Sequence, residues 1–156
     1  MNEKFWDKKK VLITGHTGFK GSWLSLWLQK FNANVIGFSK SIPTNPSLFE
    51  LAEVENEMTS IIGNICDYDK LEETINEFKP EIVIHMAAQA ILRESYTNPI
   101  ETYATNVMGT VNLLESIRKI GNVKVILNVT TDKCYEPNII SNGHIETDRL
   151  GGYDPY

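Results

Sequence analysis

The chain has 156 residues, 42% of them hydrophobic, and a formal net charge of −5. That length suits one domain around one core, and that apolar content excludes a chain disordered by composition. The acidic balance, with no basic cluster beyond Lys8-Lys9-Lys10, argues against a nucleic-acid surface.

No apolar run is long enough to span a membrane, and Val11-Leu12-Ile13 is too short for a signal-peptide core. The expectation is a cytoplasmic protein. Cys66 and Cys134 lie far apart and match no metal-ligand spacing, so no metal site is expected. Both read as free thiols, Cys66 packing and Cys134 beside a site.

Strand and helix signals alternate along the chain. Residues 10–14 read as a first strand and 18–31 as a helix, whose segment Ser22 to Leu28 is apolar enough to be buried. Asn34 to Phe38 reads as a second strand. A short helix is expected from Leu48 to Glu53, and a third strand over Thr59 to Ile62. Asp67 is placed to cap a helix from Tyr68 to Phe78, which Lys79-Pro80 stops. Glu81 to His85 reads as a fourth strand. Asn98-Pro99 opens a long helix, with Gly121 at its C′ position. Its apolar stripe is Ile100, Tyr103, Ala104, Val107, Val111, Leu114 and Ile117. Val123 to Val129 reads as a fifth strand. Strands this apolar are expected to be covered on both faces, as in a parallel sheet between helix layers. After Glu136 the texture turns polar and loses periodicity, with few apolar anchors: Ile139, Ile140, Ile145 and Leu150. Without further partners this tail is expected to leave Tyr156 unplaced.

Gly15-His16-Thr17-Gly18-Phe19-Lys20-Gly21 joins the first strand to the first helix. Strand, glycine turn and helix form a cradle for a pyrophosphate: one glycine permits the turn, one admits the phosphates and one lets helix and strand pack closely. The helix N-terminus adds unpaired N–H groups and partial positive charge. An ATP-type P-loop does not fit, because the order is Lys20-Gly21-Ser22 rather than Gly-Lys-Ser.

A carboxylate to hold a ribose 2′-OH is expected after the second strand. The residues there are Phe38-Ser39-Lys40. Either Ser39 meets a hydroxyl or Lys40 a 2′-phosphate, so NAD and NADP both stay open. Asn64 stands where an adenine edge would lie, or else closes a turn. Small Ala87 and Ala88 allow backbone to approach a ribose or nicotinamide. His85 reads as a core residue. The fifth strand leads into Thr130-Thr131-Asp132-Lys133. There a hydroxyl, a carboxylate and an ammonium stand together, at the strand edge where open α/β sheets bind ligands.

These segments, with Thr105-Asn106-Val107-Met108-Gly109-Thr110, Thr131 to Glu136, His85 to Gln89 and Gly151-Gly152-Tyr153-Asp154-Pro155-Tyr156, resemble the CDP-glucose 4,6-dehydratases of the extended short-chain dehydrogenase/reductase superfamily. The resemblance implies an α/β fold: a doubly wound, Rossmann-type parallel sheet of five or more strands. It implies a dinucleotide-binding domain over 1–136 and an active-site loop over 137–156, with the last strand, the substrate domain and the lysine of a Tyr-x-x-x-Lys pair lying beyond Tyr156. The chain alone is then expected to be inactive, and the parent enzyme to be a homo-oligomer. Implied cofactor contacts are Gly15, Thr17, Gly18, Phe19, Lys20, Gly21, Ser39, Asn64, Ile65, Ala87, Ala88, Gln89 and Asn106.

The implied reaction turns CDP-D-glucose into CDP-4-keto-6-deoxy-D-glucose and water, with bound NAD as internal hydride carrier. Tyr156 would be the base at the 4-OH, Thr131 would bond that oxygen, and Asp132 would protonate the departing 6-OH. Lys133 stands where relatives carry the glutamate that removes the C5 proton. Asn64 replaces an aspartate common in relatives. A nucleotide-sugar epimerase would need the tyrosine and the hydroxyl but no acid–base pair. A non-catalytic dinucleotide sensor would need neither Thr131 nor Tyr156.

Overall fold

The computed structural model describes residues 3–137 and 143–156. Five strands form one parallel sheet in the order β3-β2-β1-β4-β5. They are β1 (Lys10–Thr14), β2 (Asn34–Ser39), β3 (Thr59–Ile62), β4 (Ile82–His85) and β5 (Val125–Asn128). Chain order reverses between β1 and β4, because the first strand has β2 on one side and β4 on the other. In such sheets the carboxyl ends of the two strands part there and leave a crevice.

Alternate residues of the central strands serve two cores, one on each sheet face. Leu12, Ile36, Phe38 and Val83 pack beneath α4 (Tyr68–Phe78) and α7 (Gly109–Ile120), against Leu71, Ile75, Leu113 and Ile117. Val11, Ile13, Val35, Ile82 and Ile84 pack on the other face with Leu28 of α2 (Phe19–Lys30). The Asp67 side chain accepts the Lys70 N–H at 3.1 Å, capping α4 as its sequence suggests. Lys79 ends that helix in the left-handed region at φ 48°.

Three minor helices complete the set: α1 (Glu3–Trp6), α3 (Leu48–Leu51) and α5 (Leu92–Thr97). A 3₁₀ turn over Val54–Glu57 follows α3, so the helix expected up to Glu53 is shorter. The long helix expected from Pro99 to Gly121 is built in three parts. α6 (Pro99–Tyr103) runs into a π-helical turn over Ala104–Met108 and then into α7, with Gly121 at φ 71° as C-cap. A π turn inside a helix carries extra backbone per turn and often marks a functional site.

Four sequence expectations are corrected. Most of the stripe on this helix faces outward: Ile100 is 84% exposed, Tyr103 54%, Val107 48%, Val111 49% and Leu114 41%, while Ile117, of the same stripe, is buried as expected. The face turned inward carries Thr102, Gly109, Leu113, Ser116 and Ile117. A Cβ on Gly109 would overlap the Ile65 side chain, so the helix approaches through its small residues. The first helix does the same: Gly21, Ser22, Ser25 and Leu28 are buried, while Trp23 and Trp27 are half exposed. β5 is exposed along its length: it ends the sheet beside β4, and among the described residues no helix packs closely over it. Cys66 is exposed rather than packed, its thiol donating to the Ala104 carbonyl at 3.2 Å.

The two helix faces predict different mutational costs. Leu113→Ala should destabilise by about 2–5 kcal/mol through cavity formation, and exposed Val111→Ala by about 0.5 kcal/mol or less. Urea unfolding of both variants checks the orientation; equal costs would contradict it.

Candidate functional site

Gly15 leaves β1 at φ 80°, and its N–H donates to the Phe38 carbonyl at 2.8 Å. A Cβ on it would meet the Ala87 nitrogen and Met86 carbonyl carbon at 2.8 Å. The turn after β1 therefore touches the loop after β4 directly. A Cβ on Gly21 would overlap the Gly15 carbonyl oxygen, so this glycine lets α2 start against the turn. Gly18 differs: its φ is −72°, and a Cβ there would sit 3.3 Å from the Gly15 oxygen. A side chain there would need the Gly15 oxygen to yield by only a few tenths of an ångström, far less than at Gly15 or Gly21. Gly18 is also the N-cap of α2 and supplies no side-chain cap, so the first amides of the helix are left for another acceptor.

A cleft of about 610 Å³ opens here at the switch between β1 and β4. Its floor is Gly15, Thr17, Gly18, Phe19, Lys20 and Gly21. Ser39, Asn64 and Ile65 line one end, and Ala87, Ala88 and Gln89 one wall. Twelve of the thirteen cofactor contacts expected from sequence thus meet in one cavity. The thirteenth, Asn106, acts from behind the wall: its Oδ1 accepts the Gln89 N–H at 2.8 Å and its Nδ2 donates to the Gln89 carbonyl at 3.1 Å. Lys20 makes no ion pair among the described residues, and it sits at a helix N-terminus that disfavours a cation. An anion bound on the turn would satisfy both.

Several of these side chains have partners of their own. The Ser39 hydroxyl is buried, 2.9 Å from His16 Nδ1, and accepts the Thr17 N–H at 3.3 Å. His16 Nε2 lies 2.8 Å from the Ser60 hydroxyl. Burial holds His16 down to about 4, so its ring is neutral near pH 7. The Asn64 Oδ1 closes a turn on the Cys66 N–H at 3.0 Å, which leaves its amide N–H₂ for a ligand. Lys40 is paired with Glu101 at 2.8 Å, and both line the cleft. Glu101 was not expected from sequence; it reaches the site because α6 begins beside the loop after β2. A groove of this chemistry, with both charges already matched at its mouth, suits a ribose bearing a free 2′-OH better than a 2′-phosphate.

The expected catalytic residues split. Tyr156 and Thr130 line the cleft. Thr131, Asp132 and Lys133 sit just outside it, on a 3₁₀ turn over Asp132–Cys134 that follows β5. The Thr131 oxygen accepts the Lys133 N–H at 3.2 Å, and Lys133 Nζ lies 3.6 Å from the Asp132 carboxylate. The expectation that the tail would leave Tyr156 unplaced is corrected. Residues 143–156 fold back: the Glu136 N–H donates to the Arg149 carbonyl at 2.9 Å, the Gly151 N–H to the Cys134 carbonyl at 3.0 Å, and Tyr135 stacks on His144 at 4.7 Å. The anchors are backbone pairs, one stacked ring and the Arg149–Glu136 ion pair at 3.4 Å, not the apolar contacts counted from sequence. Ile139 and Ile140 lie outside the described residues. No group of three potential metal ligands forms among the described residues.

A doubly wound sheet with this glycine turn, and a cleft at its switch point, defines a dinucleotide-binding fold of the Rossmann type. The family model of the GDP-mannose 4,6-dehydratases matches residues 12–156, and the chain belongs to that family. It is 54% identical to the CDP-glucose 4,6-dehydratase of Salmonella typhimurium, over 100% of this chain and 44% of that protein. The chain thus spans less than half the length of this relative. Among solved structures it superimposes on the UDP-glucose 4-epimerase of Thermotoga maritima, with UDP-glucose, at TM-score 0.83 and 28% identity over 94% of this chain and 46% of that one. It also superimposes on the NAD complex of the Thermus thermophilus UDP-glucose 4-epimerase at TM-score 0.82 and 27% identity, covering 94% and 45%.

Gly18 offers the sharpest test of the cleft. Gly18→Val should fold as the wild type does, with its circular dichroism unchanged, and lose detectable NAD(H) binding by titration calorimetry. Gly21→Val should instead destabilise the fold, because its side chain would strike backbone. A Gly18→Val chain that binds NAD(H) like the wild type would contradict the phosphate site.

Proposed function

We propose that this chain is the cofactor-binding part of a CDP-glucose 4,6-dehydratase. The observation that carries the reading is the 54% identity to the Salmonella enzyme over the whole chain. The substrate is CDP-D-glucose and the product CDP-4-keto-6-deoxy-D-glucose with water, a step toward deoxysugars of cell-surface polysaccharides such as O-antigen. The Lys40–Glu101 pair favours NAD over NADP. The NAD complex of the Thermus epimerase, which shares the fold at 27% identity, supports the cofactor.

NAD, bound at the glycine turn, supplies a hydride acceptor for C4 and donor for C6. The amides at the start of α2 and the Lys20 ammonium would hold the pyrophosphate, and the Ala87–Gln89 backbone would take the ribose and nicotinamide. Tyr156 takes the proton of the sugar 4-OH. A phenol has an unperturbed pKa of about 10, so it needs positive charge nearby to act as a base. Thr131 hydrogen-bonds the same oxygen. Asp132 protonates the departing 6-OH while a base, at the place of Lys133, removes the C5 proton next to the 4-keto group. Thr131, Asp132 and Lys133 follow one another at the short turn after β5, so one segment could serve the 4-OH, the 6-OH and C5.

The outward stripe of Ile100, Tyr103, Val107, Val111 and Leu114 is assigned to a second copy of the chain. Its residues recur at helical spacing on one helix face with no charge among them, as a helix-to-helix seam requires. Light scattering of the full-length protein reads the oligomeric state.

The reading is tested with full-length protein offered CDP-glucose, UDP-glucose, dTDP-glucose and GDP-mannose. Only CDP-glucose should yield a 4-keto-6-deoxy sugar; turnover of another sugar with CDP-glucose untouched would overturn the assignment. Asp132→Asn should spare oxidation at C4 and slow water loss by about 10²–10⁴-fold. Rapid-quench analysis should then show CDP-4-keto-glucose accumulating. Unchanged turnover would place the acid elsewhere.

A further inference from the structure

His85 ends β4 and is buried, 3% exposed. Its two ring nitrogens meet two hydroxyls. Nδ1 lies 2.6 Å from Thr14 Oγ1, and Nε2 lies 2.9 Å from Thr110 Oγ1.

The direction of each bond can be assigned. Thr14 Oγ1 also accepts the Ala87 N–H at 3.1 Å and shares the Met86 N–H, at 3.1 Å, with the Thr14 carbonyl. A hydroxyl oxygen has two lone pairs and one proton. With these amides on its oxygen, the Thr14 hydroxyl proton has Nδ1 as its one acceptor among the described residues, so it points to Nδ1, and Nδ1 is an acceptor. A neutral imidazole that accepts at Nδ1 carries its proton at Nε2. At the far end the Thr110 hydroxyl donates to the Asn106 carbonyl at 2.7 Å, which leaves the Thr110 oxygen to accept from Nε2. All the bonds run one way, from the loop amides through Thr14, His85 and Thr110 to the π turn at Asn106. Burial, which holds the His85 ring down to about 4, agrees with a neutral imidazole.

Both ends of this chain grip one loop. Thr14 holds the amides of Met86 and Ala87, and the Asn106 side chain holds the N–H and carbonyl of Gln89. Ala88 lies between the two grips and lines the cleft. Its backbone N–H and carbonyl make no hydrogen bond among the described residues.

We propose that His85, as the neutral Nε2–H tautomer, is a positioning residue that ties β1 to the π turn and so presents the Ala87–Ala88 backbone to the dinucleotide. The proposal rests on the cofactor reading of the cleft. A charged ring would place a second proton at Nδ1, against the Thr14 hydroxyl, and the chain of bonds would lose its direction. A phenylalanine would fill the space and break both links.

Long-range ¹H–¹⁵N NMR of the labelled chain at pH 7 reads the tautomer without any ligand. The expected result is His85 protonated at Nε2 alone; a proton on Nδ1 would overturn the proposal. Thr110→Val and Thr110→Ser, titrated with NADH by fluorescence, read the role. Thr110→Val should weaken NADH about tenfold or more, as the loss of a buried hydrogen-bond partner implies, and Thr110→Ser should restore wild-type affinity. His85→Phe should weaken NADH likewise; if it does not fold, the Thr110 pair decides. Variants that lower the melting temperature but leave NADH affinity unchanged would show a structural role only and overturn the positioning. A wild-type chain that binds no dinucleotide would overturn the cofactor reading and the role with it, while the tautomer result would still stand.

Discussion

The contact between Gly15 and the Met86–Ala87 backbone is the constraint on which the site depends. Two loops leave neighbouring parallel strands at the switch point and meet with no side chain between them. The left-handed φ of Gly15 turns the chain, and its missing Cβ leaves room for the second loop. Everything that lines the cleft is placed relative to this meeting. The turn carries the start of α2 on one side. The loop carries the Ala87–Gln89 wall on the other, held in turn by Thr14 and Asn106.

A second rule concerns how helices meet the sheet. α2 turns Gly21, Ser22 and Ser25 inward, and α7 turns Gly109 and Ser116 inward. Small residues bring helix and sheet close, which sets the turn and the π segment near the cleft. Large apolar residues are then pushed outward: Trp23 and Trp27 on α2, Val107, Val111 and Leu114 on the long helix. Exposed apolar faces of this extent mark surfaces that other protein covers. The same holds for β5, whose Val125 and Leu127 continue the sheet face shared by Ile82 and Ile84.

This explains which parts were legible in the sequence. Strands show as short apolar runs, and β1, β2, β3 and β4 lie within a residue of where those runs put them. Caps show as single residues with one job, as Asp67, Pro99 and Gly121 do. The glycine turn shows because its spacing has a steric meaning that survives without neighbours. Helix orientation did not show, since a helix with a small-residue face and a large apolar face offers two plausible interiors, and only the sheet chooses. His85 reads as core and is buried, but its hydroxyl partners Thr14 and Thr110 come from two other elements, which a sequence does not bring together. Glu101 could not be foreseen for the same reason. The return of the tail rests largely on backbone pairs between residues 134–136 and 149–151, which leave no mark on side-chain pattern, and its side-chain contacts, Tyr135 on His144 and Arg149 to Glu136, have no periodicity to show them.

The central claim is that a dinucleotide sits across the switch point with its pyrophosphate on the start of α2. The most direct measurement is NAD⁺ titration of the ¹⁵N-labelled chain, following backbone amide shifts. The account predicts saturable changes at Phe19, Lys20, Gly21 and Ala88, with the α4–α7 surface unmoved. No saturable change, or changes confined to a surface away from the cleft, would contradict it.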